Sequence, residues 1–328
     1  LTVQRTELAT LLAQEAAKPL KYALGEVDRA IQTYRIASEE CKRLPFEYIQ
    51  LDWTPAGEGK EGLVKYFPVG LISAISPFNF PLNLTSHKIA PAIAAGCPII
   101  LKPARSTPLS AIELAKIAYA AGLPKGALSV LPMDRVAGNQ LVTDNRFSLL
   151  TFTGSPQVGW KMKEMAGKKK VVLELGGNAG VIIAESANVK KAATKCVIGA
   201  FSYSGQVCIH TQRIYVHNSI FEEFSNAFVN LTEELKIGDP QNADTDISSM
   251  IDDANTKRID EWVTEAIATG AKLIAGGKVE NGVYLPTILT NTKPSMRVCS
   301  NEVFGPVVTI EPYESFSKAI DEVNNSAF

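Results

Sequence analysis

Short apolar runs alternate with stretches of helical spacing throughout residues 69–176. The run at 69–76 is continuously apolar, which is typical of a strand buried in a parallel sheet. Further strands are predicted at 98–102, 128–133, 149–153 and 170–175, and helices at 82–95, at 107–121 and from the turn at 154–159. This order predicts a doubly wound parallel sheet, in which ligands bind at the carboxyl ends of the strands.

A second series of strands and helices begins at residue 177. Strands are predicted at 181–184, 213–217, 272–275, 284–290 and 307–311, and helices at 189–201, 220–235 and 255–268. The chain therefore contains a second α/β domain.

Residues before the first series have a different pattern. Apolar spacing predicts two scaffold helices at 1–17 and 20–44, and the turn residues at 55–62 predict an extended hairpin. We divide the chain into a first domain of 1–44 and 69–176, a hairpin of 45–68, and a second domain of 177–328. A hairpin that leaves the body of a domain usually meets another subunit.

Composition and net charge limit which classes of protein and of binding partner fit this chain. The 328 residues are 46% hydrophobic, which allows about two domains with a large core. The 33 basic and 34 acidic residues give a formal net charge of −1, so charge offers no basis for binding nucleic acid or an anionic membrane. No apolar run reaches the roughly 18 residues of a membrane span, and the N-terminus lacks a signal-peptide pattern.

The five cysteines are odd in number, far apart and free of CxxC spacing: Cys41, Cys97, Cys196, Cys208 and Cys299. This usage argues against a disulfide framework and against a zinc or other metal site. A reducing compartment fits best, so we expect a cytoplasmic protein.

Cys208 has the sequence context of a reactive group. Gly205 permits a tight turn and close approach of a ligand, Gln206 adds amide donors, and a β-branched strand follows. The thiol is therefore predicted on a loop between a helix and a strand, where side chains meet substrates. The alternative is a buried structural cysteine.

Two further positions suit acid–base chemistry and oxyanion stabilisation. Glu174 is predicted near the end of an apolar strand, so it is either paired or has its pKa raised by burial. Gly176 and Gly177 follow it and would leave room for substrate or water. Asn79 lies between prolines and can offer its amide to an oxyanion, or it is simply a turn residue.

The turn from Gly154 to Gly159 places Ser155 at a helix start, where free backbone N–H groups favour a phosphate. A serine cap alone explains the same pattern, because it is not GxGxxG. Lys102 at a strand end can reach a ribose or phosphate, or it is a surface lysine. His210 is two residues from Cys208, so a Cys/His hydrolase is a weakly supported alternative.

Taken in order, six motifs resemble those of the NAD(P)-dependent aldehyde dehydrogenase superfamily. They are PFNFP (77–81), LKPA (101–104), FTGS (152–155), LELGG (173–177), GQVC (205–208) and EVFGPV (302–307). The resemblance spans essentially the whole chain. It implies a Rossmann-like cofactor domain (1–44 and 69–176), an oligomerisation hairpin (45–68) and a catalytic α/β domain (177–328).

The same resemblance implies catalytic roles at matching positions. Cys208 attacks the aldehyde as a thiolate, and the Asn79 amide and the Cys208 backbone N–H stabilise the oxyanion of the thiohemiacetal. Loss of hydride leaves a thioester, and Glu174 activates the water that hydrolyses it to a carboxylic acid.

Cofactor contacts follow from the resemblance as well, with NAD or NADP as the cofactor. Lys102 binds the adenosine ribose, Glu302 the nicotinamide ribose, and Phe304 packs near the nicotinamide. The positions implied to bind the pyrophosphate or line the groove are Gly154, Ser155, Ile75, Ser76 and Phe78.

Two departures from the family pattern bear on these expectations. Many NAD-preferring members carry a glutamate three residues after the lysine of LKPA, and this chain has Arg105 there. A cation removes the repulsion of a 2′-phosphate and can pair with it, so we expect NADP to be accepted. Family chains are also roughly half as long again, so this chain resembles a member truncated at both ends, with an incomplete second domain.

We therefore expect an enzyme that acts on a small-molecule aldehyde and forms a homodimer or homotetramer. Two alternatives remain. One is an acylating member that passes the thioester to coenzyme A, although Glu174 favours water as the acceptor. The other is a catalytically silent member with a structural or cofactor-binding role, which the set of Cys208, Glu174 and Asn79 argues against.

Overall fold

The computed structural model describes residues 1–328, which form two compact units. The first unit comprises Leu1–Leu8 and Glu26–Glu174, and the second comprises Ala9–Gly25 and Leu175–Phe328. Two helices open the chain, α1 (Arg5–Ala16) and α2 (Leu20–Glu40), and the division falls within each of them. Residues 9–25 thus group with the second unit, whereas the sequence analysis placed all of 1–44 with the first domain. The assignment of functions to these domains stays a prediction.

The first unit contains a five-stranded sheet in the order β5-β4-β3-β6-β7, and every neighbouring pair is parallel. Its elements are β1 (Phe46–Gln50), β2 (Glu61–Lys65), β3 (Ile72–Ile75), α3 (Asn83–Ala94), β4 (Ile99–Lys102), α4 (Leu109–Ala120), β5 (Leu128–Val130), α5 (Arg135–Thr143), β6 (Leu149–Thr153), α6 (Pro156–Met165) and β7 (Lys170–Glu174). The strand order, with helices between successive strands, confirms the predicted doubly wound α/β fold.

Burial of β3 explains why this strand lies in the middle of the sheet. All four of its residues are buried, and the Ser73 hydroxyl donates to the Leu149 carbonyl at 3.4 Å. A strand buried on both faces needs a continuous apolar run, which is the pattern the sequence has here. The run begins at Gly70, whose φ of 112° lies in the region that favours glycine.

The hairpin of β1 and β2 is antiparallel, with Phe46 opposite Lys65 and Gln50 opposite Glu61. Most of its large apolar side chains are exposed. Those more than half exposed in and around the hairpin are Leu44, Phe46, Tyr48, Trp53, Leu63, Tyr66 and Phe67.

The second unit has a five-stranded mixed sheet in the order β10-β13-β14-β9-β8, in which only β10 is antiparallel to its neighbour. Its elements are β8 (Ala179–Ile183), α7 (Val189–Phe201), β9 (Thr211–His217), α8 (Phe221–Glu233), α9 (Asp253–Ala268), β10 (Lys272–Ala275), β11 (Val279–Glu280), β12 (Val283–Tyr284), β13 (Thr287–Thr290), α10 (Arg297–Ser300), β14 (Val307–Tyr313) and α11 (Phe316–Asn324). This confirms the second α/β domain expected from the sequence.

Aromatic packing and helix caps define the core of the second unit. The rings of Phe224 and Phe228 stack with centroids 5.6 Å apart, and Phe201 lies 5.9 Å from Phe228. The side chains of Asn188 and Asp252 cap α7 and α9 by accepting backbone N–H groups. Such caps satisfy donors that helix starts leave free, so these helices begin where the sequence provides an oxygen acceptor.

Several elements differ from the sequence predictions, among them β11 and α10, which were not predicted. The single strand predicted at 284–290 is interrupted, because Pro286 has no backbone N–H to continue a ladder. Helix α5 was not predicted, although Asp134 caps it by accepting from Ala137 N at 2.8 Å. No helix is both long and apolar enough to cross a membrane.

Candidate active site

The carboxyl edge of the parallel sheet gathers several of the residues that the sequence singled out. Ile75, the last residue of β3, pairs with Lys102 at the end of β4 and with Phe152 near the end of β6. Ser76 follows β3, is buried, and donates its backbone N–H to the Lys102 carbonyl at 3.1 Å. The register therefore places the ends of β4, β3 and β6 at one edge, where doubly wound sheets bind ligands.

Lys102 is half-buried rather than a free surface lysine. Its side chain runs beside Gly138 of α5, where an added Cβ would lie 3.1 Å from Lys102 Cε. Burial lowers the pKa of the Lys102 ammonium, and the nearby Asp134 carboxylate opposes this shift. A lysine in this position has part of its hydration removed already, which suits it to bind a polar ligand group.

The start of α6 has the features of an anion site. Gly154 N–H donates to the Glu174 carbonyl at 3.0 Å, and a Cβ on Gly154 would lie 2.5 Å from the Phe152 ring. Ser155 is the N-cap residue, yet its side chain makes no capping hydrogen bond, and Pro156 follows at the first helical position. The Ser155 hydroxyl and the first N–H groups of α6 are therefore available to a phosphate.

The loop that carries Asn79 is fixed on both sides. Asn79 itself is only 3% exposed. The Thr107 hydroxyl donates to the Phe78 carbonyl at 3.4 Å. On the other side, Glu26 Oε1 accepts the backbone N–H groups of Leu82 and Asn83 at 2.9 and 3.0 Å. These bonds fix the backbone on both sides of Asn79, and a fixed backbone favours a preorganised oxyanion donor.

Glu174 ends β7 opposite Thr153 and is exposed. The alternative of a buried carboxylate is therefore not observed. Its electrostatic partner is Lys88, which is buried and donates to the hydroxyls of Thr151 and Thr153 at 3.0 and 2.8 Å. Burial lowers the pKa of Lys88 to about 8, and the Glu174 carboxylate opposes that shift. A carboxylate open to water is suited to accept a proton from a water molecule.

In the second unit, Cys208 lies between a 3₁₀ turn (Ser202–Gly205) and β9, on the predicted loop between helix and strand. Its side chain is exposed, whereas Cys97 and Cys196 are buried. The structural-cysteine alternative is therefore excluded for Cys208. An exposed thiol on a loop is accessible to a substrate carbonyl.

Glu302 occupies the space that the glycines after Glu174 leave open. Its Oε1 accepts the Gly177 N–H at 3.1 Å, and a Cβ on Gly176 would lie 1.9 Å from its Oε2. Gly177 also comes close to Cys208, because its added Cβ would be 3.3 Å from the Cys208 carbonyl oxygen. The room predicted for substrate or water is filled beside Gly176 by the Glu302 carboxylate.

Arg258 was missed by sequence reasoning. It lies on α9 with its guanidinium 4.9 Å from the Trp262 ring, and it donates to Asn255 at 3.2 Å. Burial lowers its pKa, and the charges of Glu302 and Asp252 oppose this. Burial is also the main reason that the pKa of Glu302 is raised, against the Gly177 N–H and the Arg258 cation. No motif marks Arg258, since only the folded chain brings it near Glu302.

His210 does not support the Cys/His hydrolase alternative. It is 4% exposed, and no side chain is hydrogen-bonded to either ring nitrogen. Burial lowers its pKa to about 4. A general base must reach the proton that it takes, and this imidazole is neither bonded to the Cys208 thiol nor open to substrate.

Comparison with known proteins decides the family. The family model of the aldehyde dehydrogenase family matches residues 1–328. The chain belongs to the aldehyde dehydrogenase family. It is 43% identical over 326 residues to 3-sulfolactaldehyde dehydrogenase of Priestia megaterium, with 99% of this chain and 68% of that relative covered. It is thus an NAD(P)-dependent oxidoreductase that oxidises aldehydes.

Solved structures of the family agree in fold. Aldehyde dehydrogenase 21 of Physcomitrella patens, in complex with the reaction product succinate, is 44% identical with a TM-score of 0.96, covering 99% of this chain and 68% of that one. Glyceraldehyde-3-phosphate dehydrogenase of Methanocaldococcus jannaschii, complexed with NADP, is 36% identical with a TM-score of 0.93, covering 99% of this chain and 71% of that one. These similarities confirm the aldehyde dehydrogenase fold, over about two thirds of the length of each relative.

The residues present fit a nicotinamide dinucleotide of the kind that aldehyde dehydrogenases use. In the first unit, the uncommitted Ser155 hydroxyl and the start of α6 suit a pyrophosphate, and the half-buried Lys102 suits a ribose. In the second unit, Glu302 has one carboxylate oxygen bonded to Gly177, which orients the carboxylate as a hydroxyl acceptor.

We predict that Gly176→Ala weakens cofactor binding with little loss of stability. The new methyl group collides with the end of the Glu302 side chain, which can rotate away but then loses its hydrogen bond from Gly177. A rise in the cofactor Kd of about tenfold is expected, measured by fluorescence titration. Gly25→Ala is the matched control, since nothing lies within 4 Å of its added Cβ. Equal Kd values in both variants would contradict the role of Glu302.

We also predict acid destabilisation through His210. The pKa of His210 is about 4 in the folded protein against 6.5 ordinarily, so only the unfolded chain gains a proton between these values. Stability from this group is complete above pH 6.5 and falls as pH drops toward 4, by on the order of 3 kcal/mol. Urea unfolding from pH 7 to pH 4, compared with His210→Gln, should show a shallower decline in the variant. His217→Gln should keep the wild-type decline.

Proposed function

We propose that Cys208 is the nucleophile of aldehyde oxidation and that Glu174 and Asn79 complete the catalytic set. The observation that carries the proposal is the position of Cys208, whose thiol is exposed on a loop with its backbone close to Gly177, beside the Glu302 carboxylate. Its position in the GQVC motif agrees with the family pattern.

The proposed chemistry begins at the sulfur of Cys208. The thiolate attacks the aldehyde carbon and forms a thiohemiacetal, whose oxyanion accepts hydrogen bonds from the Asn79 amide and the Cys208 N–H. Bound NAD or NADP supplies a hydride acceptor for the aldehyde carbon. Loss of the hydride leaves a thioester on Cys208. The Glu174 carboxylate, which is exposed, takes a proton from water, and the resulting hydroxide releases the carboxylic acid and the thiolate.

Water is the proposed acceptor rather than coenzyme A, because Glu174 is present and open to solvent. The substrate class is guided by relatives, which act on 3-sulfolactaldehyde, lactaldehyde and succinate semialdehyde. Short polar aldehydes, with and without an anionic group, are therefore the first substrates to test. No nucleic acid or membrane partner is proposed.

Homo-oligomerisation and a cytoplasmic location are part of the proposal. The apolar side chains of the β1–β2 hairpin support association, since Trp53 is 85% and Phe67 is 81% exposed. Apolar surface of this kind often marks an interface with another chain. All five cysteines are free of disulfides, which supports a reducing compartment.

We predict that Cys208→Ala abolishes aldehyde oxidation, lowering kcat by about four orders of magnitude or more. The measurement is the absorbance of reduced cofactor with a panel of short polar aldehydes. Cys41→Ala removes another exposed thiol and should retain wild-type activity. Aldehyde oxidation that survives in Cys208→Ala would refute the proposed nucleophile.

We further predict that Arg105 allows NADP to be used. Arg105 is exposed in the loop between β4 and α4, three residues after Lys102, where its cation can pair with a 2′-phosphate. Arg105→Glu should raise the KM for NADP by about 10- to 100-fold while the KM for NAD changes little. Lys125→Glu, an exposed cation of the first unit, is the control for a general charge effect. Negligible turnover of wild type with NADP would also contradict this prediction.

A further inference from the structure

Three consecutive residues in left-handed conformation precede the cysteine loop. The φ angles of Tyr203, Ser204 and Gly205 are 52°, 53° and 68°. Glycine adopts this conformation readily, but tyrosine and serine do so only when surrounding contacts impose it. We call Tyr203–Gly205 the left-handed turn. Because Cys208 follows it after two residues, the turn sets the direction in which the cysteine loop leaves α7.

Several contacts within the second unit impose this conformation. The Ser204 hydroxyl donates to the Ser248 carbonyl at 2.8 Å and accepts the Ser248 N–H at 3.3 Å. The side-chain oxygen of Gln206 accepts the Ile251 N–H at 3.0 Å. At Gly205 an added Cβ would lie 2.1 Å from the Gly305 carbonyl oxygen, so the turn packs directly on that backbone.

Tyr203 ties the turn to the junction of α1 and α2. Its hydroxyl donates to the Ala16 carbonyl at 2.9 Å, and its ring is 1% exposed. The ammonium of Lys18 lies 4.4 Å from the ring centroid, and Lys18 is fully buried. The hydroxyl of Ser248 donates to the Ala17 carbonyl, so the same junction also holds the partner of Ser204.

A buried lysine at this place needs an explanation. Burying an ammonium is costly unless it gains compensating contacts, and an apolar side chain of similar length would pack with a smaller penalty. The contact between Lys18 and the Tyr203 face is directional, because the ring attracts a cation over its face and not at its edge. Such a contact fixes the plane of the ring, and thereby the strained turn that carries it.

We propose that Lys18 is a positioning residue, which holds the Tyr203 ring and so fixes the left-handed turn that presents the Cys208 thiol. The inference rests on the proposed role of Cys208. Without the Lys18 cation, Tyr203 and Ser204 can relax toward ordinary backbone conformations, and the thiol shifts. A displacement near 1 Å lowers a catalytic rate by about 100-fold, even when folding is intact.

The test separates thiol position from thiol reactivity. Lys18→Met keeps the length of the side chain and removes the charge. We expect kcat/KM for aldehyde oxidation to fall about 10- to 100-fold well below the unfolding temperature. Alkylation of Cys208 by iodoacetamide needs only an accessible thiolate, so its rate and pH profile should stay close to wild type. Mass spectrometry gives this rate relative to Cys41, an exposed thiol in the first unit that serves as internal reference.

The control variant is Lys163→Met, which removes another lysine that lies over an aromatic ring, Trp160, in the first unit. It should leave kcat/KM unchanged. If Lys18→Met does not fold, Lys18→Gln replaces it, because that variant also removes the charge over the Tyr203 ring but keeps a polar end group. The same split between oxidation and alkylation is expected.

Two results would overturn the inference. One is full kcat/KM in folded Lys18→Met, or in Lys18→Gln where that variant decides. The other is a fall in kcat/KM for oxidation that is accompanied by a shifted pH profile of alkylation. That result would assign Lys18 an electrostatic effect on the thiol. The variant Cys208→Ala separates the two proposals. Activity in Cys208→Ala refutes Cys208 as the nucleophile. Loss of activity in Cys208→Ala, together with full activity in Lys18→Met, refutes only the positioning role of Lys18.

Discussion

In-register parallel pairing of β3 with β4 and β6 is the constraint on which the cofactor side of the candidate site depends. Each strand ends at the same edge, so Ile75, Lys102 and the start of α6 lie there. A shift of one residue in β4 would turn Lys102 to the opposite face. The buried Ile99 and Leu101 of β4 oppose such a shift, because Lys102 would then enter the buried face.

In the second unit, close backbone packing is the constraint that positions the candidate site residues. The absent side chain at Gly176 admits the Glu302 carboxylate, and the absent side chain at Gly205 admits the Gly305 backbone. These glycines join segments about 100 residues apart in the chain, which gives the motifs LELGG, GQVC and EVFGPV a shared physical reason. The three motifs describe one packed arrangement rather than three separate sites.

Partly desolvated charges occur in both units. Lys88, Lys102 and Arg258 all have pKa values lowered mainly by burial, and each has a carboxylate nearby that opposes the shift. Partly buried charges of this kind lower the stability of the folded protein. Their surroundings reorganise little when a charged ligand binds or a charged intermediate forms. Perturbed pKa values cluster at functional sites, and structural ion-pair networks produce them as well.

The sequence by itself determined the α/β class, most of the strands and helices and the family, and it singled out Cys208 as the candidate nucleophile, because hydrophobic period and short motifs are local properties. Only the tertiary structure decided that Glu174 is exposed, that Glu302 fills the space beside Gly176, that α5 flanks Lys102, and that Lys18 lies beneath Tyr203. Each of these facts joins residues far apart in the chain or depends on burial. Neither distance nor burial is set by local pattern, since both arise from how the elements pack.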